Sequence, residues 1–276
     1  TLFEEIDKIN NIYFLIGKEY IGYVSTSYFL EIAADGHQSK FRKEWSFTHF
    51  KSKYQSGCLT AKISMRGAQL SEAFEIFRPD GPLAILPIEG DIFQVVLTAP
   101  LKKCSRLAKL SHPHFLDYLA GQLPKGIQPD VLIDKPRYYP VELSFSKPFF
   151  KDNNILIGEA SHRCHPVGGQ GLNVCWRDIE YLSDILGKSY HSKNFNMLKI
   201  RTLYNFVRSI DVAFVSIITH CLVIIYSSTS PISIAIRFPI LRIINKSPHL
   251  RKIILFLMSD GICLNQILCN NQTKSI

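Results

Sequence analysis

Apolar and polar residues alternate between residues 57 and 98, which is the period-two pattern of half-buried β-strands. Turn-forming residues interrupt the alternation at Gly67, at residues 79–81 and at residues 90–91. The pattern therefore predicts an antiparallel meander of four strands, at residues 57–65, 72–78, 82–88 and 92–98.

The segments on either side of the meander are less regular. Before it, the pattern predicts a helical start to the chain and short strands at residues 12–16, 20–23 and 29–33. After it, the pattern predicts a helix over residues 101–123, which Pro113 divides because proline cannot donate a backbone hydrogen bond. A proline-rich loop at 124–140 and a strand at 141–145 are expected to follow.

A strand, a glycine-rich turn and a helix follow one another after residue 153. The apolar run at 154–157 predicts a buried strand that ends at Gly158, and the turn contains Pro166, Gly168, Gly169 and Gly171. The predicted apolar face of the next helix consists of Leu172, Cys175, Trp176, Ile179, Leu182 and Leu186. Glycines let a ligand approach the backbone, and a helix N-terminus offers N–H groups. This segment is therefore predicted to form a ligand site.

The last third of the chain is predicted to be helical, at residues 194–226, 231–244 and 247–258. Residues 212–226 are the most apolar part, but a membrane span needs about 20 apolar residues. The run is shorter than that and contains His220, which favours a buried or interfacial helix over a transmembrane one.

Composition and charge narrow the class of protein. The chain has 276 residues, of which 46% are hydrophobic, and a net charge of +9. Residues 195–276 contain nine basic and two acidic side chains and so contribute +7. Because no nucleic-acid module accompanies this charge, a membrane surface is the better partner and no nucleic acid is predicted. Seven cysteines without a CxxC pair predict reduced thiols and a cytoplasmic location. The basic and apolar tail adds contact with a membrane surface to that prediction.

The glycine-rich segment resembles the second flavin-binding motif of the FAD-dependent aromatic hydroxylases, and most closely that of the ubiquinone-biosynthesis hydroxylases. The matching residues are Gly158, Glu159, Ala160, His162, Pro166, Gly169, Gln170, Gly171, Asn173 and Asp178. The resemblance implies that Glu159 binds the ribityl chain of FAD. It also implies that the turn and helix start, including Gly168 and Leu172, lie beside the flavin pyrimidine ring. Glu159 stands where the family usually has Asp, and Cys175 where it usually has Gly.

A second segment, from Ala34 to Arg42, resembles the strand-end motif that lies near the FAD pyrophosphate in that family. Asp35, Gly36 and Arg42 are its matching residues. Residues 84–87 resemble a segment that approaches the flavin from the substrate side. Arg208, Asp211, Thr219, Leu222, Arg237 and Gly261 resemble positions in the C-terminal helices of the ubiquinone-type hydroxylases.

The resemblance implies an α/β (α+β) fold. Residues 1–45 would be a remnant of a Rossmann-like FAD-binding domain, and residues 46–146 an antiparallel substrate domain. Residues 147–190 would carry the FAD-binding strand and helix, and residues 191–276 the C-terminal helices. FAD would be the cofactor, with NAD(P)H or another electron donor and O₂ as co-substrates. A prenylated aromatic compound would be the substrate, and a biosynthetic protein complex a partner. His162 and His165 are candidates for catalysis by position alone, so no catalytic base is predicted.

Two other hypotheses remain open. The chain has no GxGxxG turn, which in the family holds the ADP part of FAD, so the sequence predicts a truncated flavoprotein that does not bind FAD tightly by itself. Such a chain could be a catalytically inactive membrane-surface or assembly protein. His162, Cys164 and His165 could offer metal ligands from one turn, but a zinc site needs four ligands and no second cluster follows. No metal is predicted.

Overall fold

The computed structural model describes residues 2–19, 28–191 and 195–261. Two short 3₁₀ turns, Gly158–Ala160 and Val167–Gly169, stand among the helices and strands. In chain order, the helices and strands are α1 (Leu2–Asp7), β1 (Glu31–Ala33), α2 (Lys40–Glu44), β2 (Thr48–Arg66), β3 (Phe74–Ile76), β4 (Leu83–Glu89), β5 (Ile92–Pro100), α3 (Leu101–Leu107), α4 (His112–Ala120), β6 (Gln128–Leu132), β7 (Arg137–Lys147), β8 (Phe150–Lys151), β9 (Asn154–Leu156), β10 (His162–Arg163), α5 (Gln170–His191), α6 (Met197–Ser227), α7 (Pro231–Lys246) and α8 (Pro248–Ser259).

The larger sheet is antiparallel and has seven strands among the described residues. Its order is β10-β7-β2-β5-β4-β3, and β6 pairs with β2 as well. β2 has 19 residues and pairs with β5, β6 and β7. Side chains on one face of β2, β4 and β5 form a core against α3 and α4, with Leu59, Ile63, Phe93, Phe115 and Leu119 almost fully buried. The four predicted strands are present, but only β3, β4 and β5 form a meander, because β2 pairs with β5 instead of β3.

The smaller sheet has the order β1-β9-β8, and β1 pairs with β9 in parallel. Ala33 lies opposite Leu156, so the two parallel strands end at the same edge of the sheet. The segments that follow β1 and β9 therefore leave the sheet side by side. Within the described residues, the other edge of β1 has no partner strand.

The C-terminal helices differ in how much of their surface is buried. α5 and α6 pack together and against the small sheet, with Tyr181, Leu182, Tyr204, Val212 and Val215 in their core. By contrast, neither α7 nor α8 contains a buried residue. α6 is long and apolar enough to cross a membrane, with a hydropathy of 2.0 in its most apolar window. One face of it lies in the core, as predicted for a buried helix.

Several sequence predictions outside the meander were wrong. Residues 124–140 are not a loop, because β6 and the start of β7 both lie there. β6 contains Pro129 and pairs only with β2, and an edge strand tolerates proline because its outer N–H groups need no partner. Residues 12–15 form no strand. The predicted strand at 20–23 lies outside the described residues. Two helices, α3 and α4, replace the single predicted one, but the break lies at residues 108–111 and Pro113 stands in the first turn of α4. The helices after residue 194 are confirmed.

The predicted apolar face of α5 was wrong in its first half, although Leu182 is buried as predicted. Leu172, Trp176 and Ile179 are 66%, 56% and 45% exposed. The buried face instead contains Val174, Arg177, Asp178, Tyr181, Leu182 and Ile185. The physical reason is electrostatic: Arg177 and Asp178 form ion pairs with residues of α6. A buried charge needs its partner, so the helix is oriented to keep these pairs.

Candidate functional site

The turn after β1 is ordered by a carboxylate. Asp35 Oδ2 accepts a hydrogen bond of 2.8 Å from the backbone N–H of Lys40, in the first turn of α2. The Ser39 hydroxyl accepts a second one, of 2.9 Å, from the N–H of Arg42. Gly36 has a φ of +79°, which favours glycine. Together these contacts fix the strand-to-helix turn that contains the first predicted motif.

Arg42 joins that turn to the second motif. Its guanidinium is buried and donates to the carbonyl of Ala160 at 2.8 Å and to the carbonyl of His37 at 2.9 Å. His37 in turn lies 3.7 Å from the Glu159 carboxylate. The structure therefore brings Asp35, Gly36 and Arg42 together with Gly158, Glu159 and Ala160, although more than a hundred residues separate them in sequence.

The glycine-rich turn follows β10 and leads into α5. Gly168 and Gly169 have φ values of +73° and +62°, conformations that other residues rarely adopt. Gln170 donates from Nε2 to the Gly168 carbonyl at 2.8 Å, while its Oε1 is buried and has no hydrogen-bond partner among the described residues. His165 accepts a 3.1 Å bond at Nδ1 from the N–H of Val167. Burial, with a smaller effect of His220, lowers the pKa of His165 to about 4.

A cavity of about 630 Å³ lies between this turn and the large sheet. Five predicted residues line its turn side: Glu159, Pro166, Gly168, Gly169 and Gly171. The opposite wall is mostly apolar and includes Phe74, Ala84, Leu86, Val96 and Val141. Ala84 and Leu86 belong to the segment predicted to face the flavin from the substrate side.

The polar groups of the cavity are mainly acidic. Glu142 is paired with Lys51 at 2.7 Å, and Arg163 lies 3.6 Å from both Glu142 and Glu159. Burial by itself would raise the pKa of Glu142, but Lys51 and Arg163 hold that pKa below its ordinary value. Glu75 on β3 accepts from the Gly168 N–H at 3.1 and 3.2 Å through its two carboxylate oxygens.

A buried ion network lies behind the turn. Asp178 accepts from the Gly158 N–H at 2.8 Å, from His162 Nε2 at 2.7 Å and from Arg208 Nε at 2.7 Å. Burial would raise the pKa of Asp178, but His162 and Arg208 outweigh this effect and lower it. Arg208 also contacts Asp211 at 2.6 Å. The His162 ring is therefore held by Asp178 within this network.

The network continues to the end of α8. Arg177 pairs with Asp211 at 3.0 Å and donates to the carbonyls of Met258 and Ser259 at 3.3 and 3.4 Å. Gly261 packs closely there, because a Cβ atom at this position would lie 2.8 Å from Asp211 Oδ1. An unbroken chain of polar contacts thus links the Gly158 turn to the last described helix.

Not every predicted site residue faces the cavity. Leu172 is exposed on the outer side of α5, Asn173 is half-buried, and Gly158 and Ala160 lie behind the turn. Cys175 occupies the space beside Gly158, where a Cβ atom would lie 3.4 Å from its sulfur. His162 and His165 are engaged with Asp178 and Val167. Within the described ranges, no group of three or more His, Cys, Asp or Glu residues is arranged to hold a metal ion.

Sequence reasoning missed the cavity residues Glu75, Glu142 and Arg163. No local pattern marks them, because each is an ordinary polar residue of a strand. The Arg208–Asp211 spacing offered a signal for the network, since two charges on one face of an apolar helix must be paired if they are buried.

Comparison with known proteins identifies the class that this fold and site define. Residues 23–198 match the family described as FAD binding domain. The match extends over more than half of the chain, and the protein belongs to that family. The family predicted from the two turn motifs is confirmed.

Two relatives indicate the branch of the family. The uncharacterized protein slr1300 of Synechocystis sp. is 31% identical over 231 residues, which are 83% of this chain and 56% of the relative. The mitochondrial ubiquinone biosynthesis monooxygenase COQ6 of Mus musculus is 25% identical over 188 residues, which are 55% of this chain and 39% of that protein. The predicted likeness to the ubiquinone-biosynthesis hydroxylases is confirmed. The chain spans about half the length of these relatives, or less.

Solved structures show the same fold. The p-nitrophenol 4-monooxygenase PnpA of Pseudomonas putida superposes with a TM-score of 0.63 at 18% identity, covering 84% of this chain and 59% of that one. The anhydrotetracycline hydroxylase OxyS of Streptomyces rimosus gives a TM-score of 0.61 at 17% identity, covering 84% and 46%. The α/β fold class predicted from the sequence is confirmed.

Proposed function

We propose that this chain forms the flavin-facing and substrate-facing part of an FAD-dependent aromatic hydroxylase. The observation that supports this most is the cavity of about 630 Å³ between the glycine-rich turn and an apolar sheet wall. Such a cavity has one side open to a planar cofactor and another suited to an aromatic ring. The proposed substrate is a prenylated phenolic precursor of a quinone, by analogy with the ubiquinone-type relatives.

The residues present fit FAD. A Cβ atom added to Gly169 or Gly171 would meet no atom within 4 Å, so the backbone there is open to a ligand. Within the part of the chain that the structure describes, the buried Oε1 of Gln170 has no hydrogen-bond partner. The first N–H groups of a helix have no intrahelical acceptors. Gly169 and Gly171, which line the cavity, would hold the flavin ring edge, and Glu159 the ribityl chain. Asp35, Gly36 and Arg42 would order the turn near the pyrophosphate.

When bound and reduced by NAD(P)H or another donor, FAD would supply the activation of O₂ that hydroxylates the ring. The chain's own residues have simpler tasks. The N-terminus of α5 provides partial positive charge at Gln170 and Gly171, which favours negative charge on a ligand there. The apolar wall, including Leu86 and Val141, orients the ring and excludes water.

The test is a titration of the purified chain with FAD, followed by protein and flavin fluorescence. We expect saturable quenching and a shifted flavin absorbance band. With a phenol substrate, NADH and O₂, the chain by itself should yield little hydroxylated product by mass spectrometry, because it lacks the GxGxxG turn. Absence of saturation at roughly millimolar FAD, which corresponds to a binding free energy of about −4 kcal/mol, would refute the flavin role.

A second role, contact with a membrane surface, is favoured by α7 and α8. Ile232, Phe238 and Leu255 are 72%, 77% and 66% exposed. Exposed basic residues, including Arg242 and Arg251, accompany them on the same two helices. Exposed apolar surface beside basic charge is typical of interfacial helices on anionic lipid. The role is compatible with the hydroxylase, and also with an inactive assembly protein.

A further inference from the structure

Glu75 reaches the glycine-rich turn from the opposite wall of the cavity. It is the middle residue of β3, and its carboxylate is the acceptor of the Gly168 N–H. We propose that Glu75 selects the ligand of this cavity: it accepts a hydrogen bond from the hydroxyl of an uncharged hydroxyaromatic ring and repels rings that carry a carboxylate. This selection rests on the proposed function, which requires an aromatic ring in the cavity.

The geometry leaves Glu75 able to bind a ligand. Both of its oxygens lie close to the same donor, at 3.1 and 3.2 Å from the Gly168 nitrogen. One N–H group satisfies only part of an ionised carboxylate, which has about four acceptor positions. The side chain lines the cavity and is exposed to it. A ring hydroxyl could therefore donate to one oxygen while the other stays on Gly168.

The charge balance of the cavity explains the selection. Glu142 and Glu159 lie near Arg163, and Glu142 also has Lys51. Glu75 has no salt-bridge partner in residues 2–19, 28–191 and 195–261. Three carboxylates of the cavity wall thus have two paired cations, Arg163 and Lys51, and the unpaired negative charge is that of Glu75, although the whole protein carries +9. A carboxylated ring would bring another negative charge beside Glu75, and like charges repel.

The protonation state of Glu75 provides a readout that a structural role would not change. Burial raises the pKa of Glu75, and the Gly168 hydrogen bond opposes this only partly. The carboxylate is therefore lost at a higher pH than in an ordinary glutamate. Acidification should weaken phenol binding and reduce the rejection of carboxylated rings. The other titratable groups on the cavity wall, besides the charged ones named above, are Cys58, Tyr139, His162 and Cys164.

The experiment compares two fluorinated ligands that differ only in a carboxylate, 2-fluorophenol and 3-fluoro-4-hydroxybenzoate, by ¹⁹F NMR titration of the whole chain. We expect the phenol to bind about tenfold more tightly, as a repulsion of this kind implies. In Glu75→Gln the ratio should fall to near one, while Gly168 keeps an oxygen acceptor. The matched control is Glu72→Gln, an exposed residue of the preceding loop outside the cavity, which should keep the wild-type ratio.

Three results would overturn the selection by Glu75: equal affinities in the wild-type protein, an unchanged ratio in Glu75→Gln, or no binding of either ligand. If Glu75→Gln loses its circular dichroism signal and is unfolded, the test uses the pH dependence of the affinity ratio in the wild-type protein. It also uses Glu75→Asp, which retains the charge and should retain the ratio. A ratio that does not change on acidification would then count against the proposal. FAD titration of the same samples is independent, so discrimination without FAD binding would support the selection and refute only the flavin role.

Discussion

Gly171 offers the sharpest test of where a flavin would meet this chain. It lines the cavity in the first turn of α5, and a Cβ atom there would meet no protein atom within 4 Å. In Gly171→Val the fold should therefore be unaffected. Glycine and valine differ by less than about 0.5 kcal/mol in helix propensity, with valine the better helix former. Any loss of ligand binding must then come from the space that the new side chain fills.

The expected loss follows from the contacts that a displaced ring would forfeit. Two hydrogen bonds to N–H groups of the turn, at about 1.5 kcal/mol each, amount to about 3 kcal/mol. This corresponds to about a hundredfold increase in the Kd for FAD. Fluorescence titration measures the Kd, and thermal unfolding monitors the fold.

Gly187→Val is the matched control. Gly187 lies in the same helix, also has open space around its Cβ position, and is remote from the cavity. Its substitution should leave both FAD affinity and Tm unchanged. Equal FAD affinity in Gly171→Val and Gly187→Val would remove the α5 N-terminus from the flavin site.

Three further predictions concern stability and surface binding. Asp178→Ala leaves the buried Arg208 with one carboxylate fewer and should cost about 3–5 kcal/mol, measured by urea unfolding; a loss below about 1 kcal/mol would contradict the network. The pKa of His165 is about 4 in the folded protein and 6.5 for the ordinary side chain. Between these two pH values the unfolded state binds more protons than the folded state, so the free energy of unfolding should fall as the pH drops from 6.5 to about 4. The loss should reach at most about 3 kcal/mol, and His165→Asn should flatten the curve. Sedimentation with anionic vesicles should capture the chain through α7 and α8, at about 1 kcal/mol per basic residue. High salt or Leu255→Asp should release it; release by detergent alone would instead indicate a spanning helix.

The sequence predicted the parts of the fold that depend on local pattern. Apolar and polar residues alternate along the strands from residue 57 to 98 because one face of the sheet is buried. The positions of these strands can therefore be predicted from periodicity alone. The turns at Asp35 and Gly158 were located by their glycines and neighbouring motif residues. Their convergence follows from the parallel pairing of β1 and β9, which no local pattern predicted.

The buried face of α5 could not be predicted from the local hydrophobic pattern. Two sets of apolar residues fit a helical period and share Leu182: one contains Leu172 and Trp176, and the other contains Val174 and Tyr181. The choice between them is made by the pairing of Asp178 with Arg208, a residue 30 positions away. Charge pairing between residues far apart in sequence cannot be predicted from the hydrophobic periodicity of the helix.

The polar residues of the cavity also could not be predicted from the sequence, because they come together only in the tertiary structure. Glu75 and Gly168 are 93 positions apart in sequence and meet only because the glycine-rich turn lies against β3. An isolated glutamate on a short strand has the same sequence signature whether it faces solvent or a ligand. Cavity residues of this kind become visible only when the tertiary structure is known.

The hydrogen bond of the Gly158 amide offers a way to follow a conformational change of this protein in solution. Its proton is held by Asp178, within the network that runs through Arg208, Asp211 and Arg177 to the carbonyls at the end of α8. Undocking of α8 would loosen the network one contact at a time and let that amide exchange with solvent. A single backbone resonance, followed by hydrogen–deuterium exchange, would then report on a helix 90 or more residues further along the chain. Lipid binding to α8 could be followed from the cofactor side of the molecule, without a label on the helix itself.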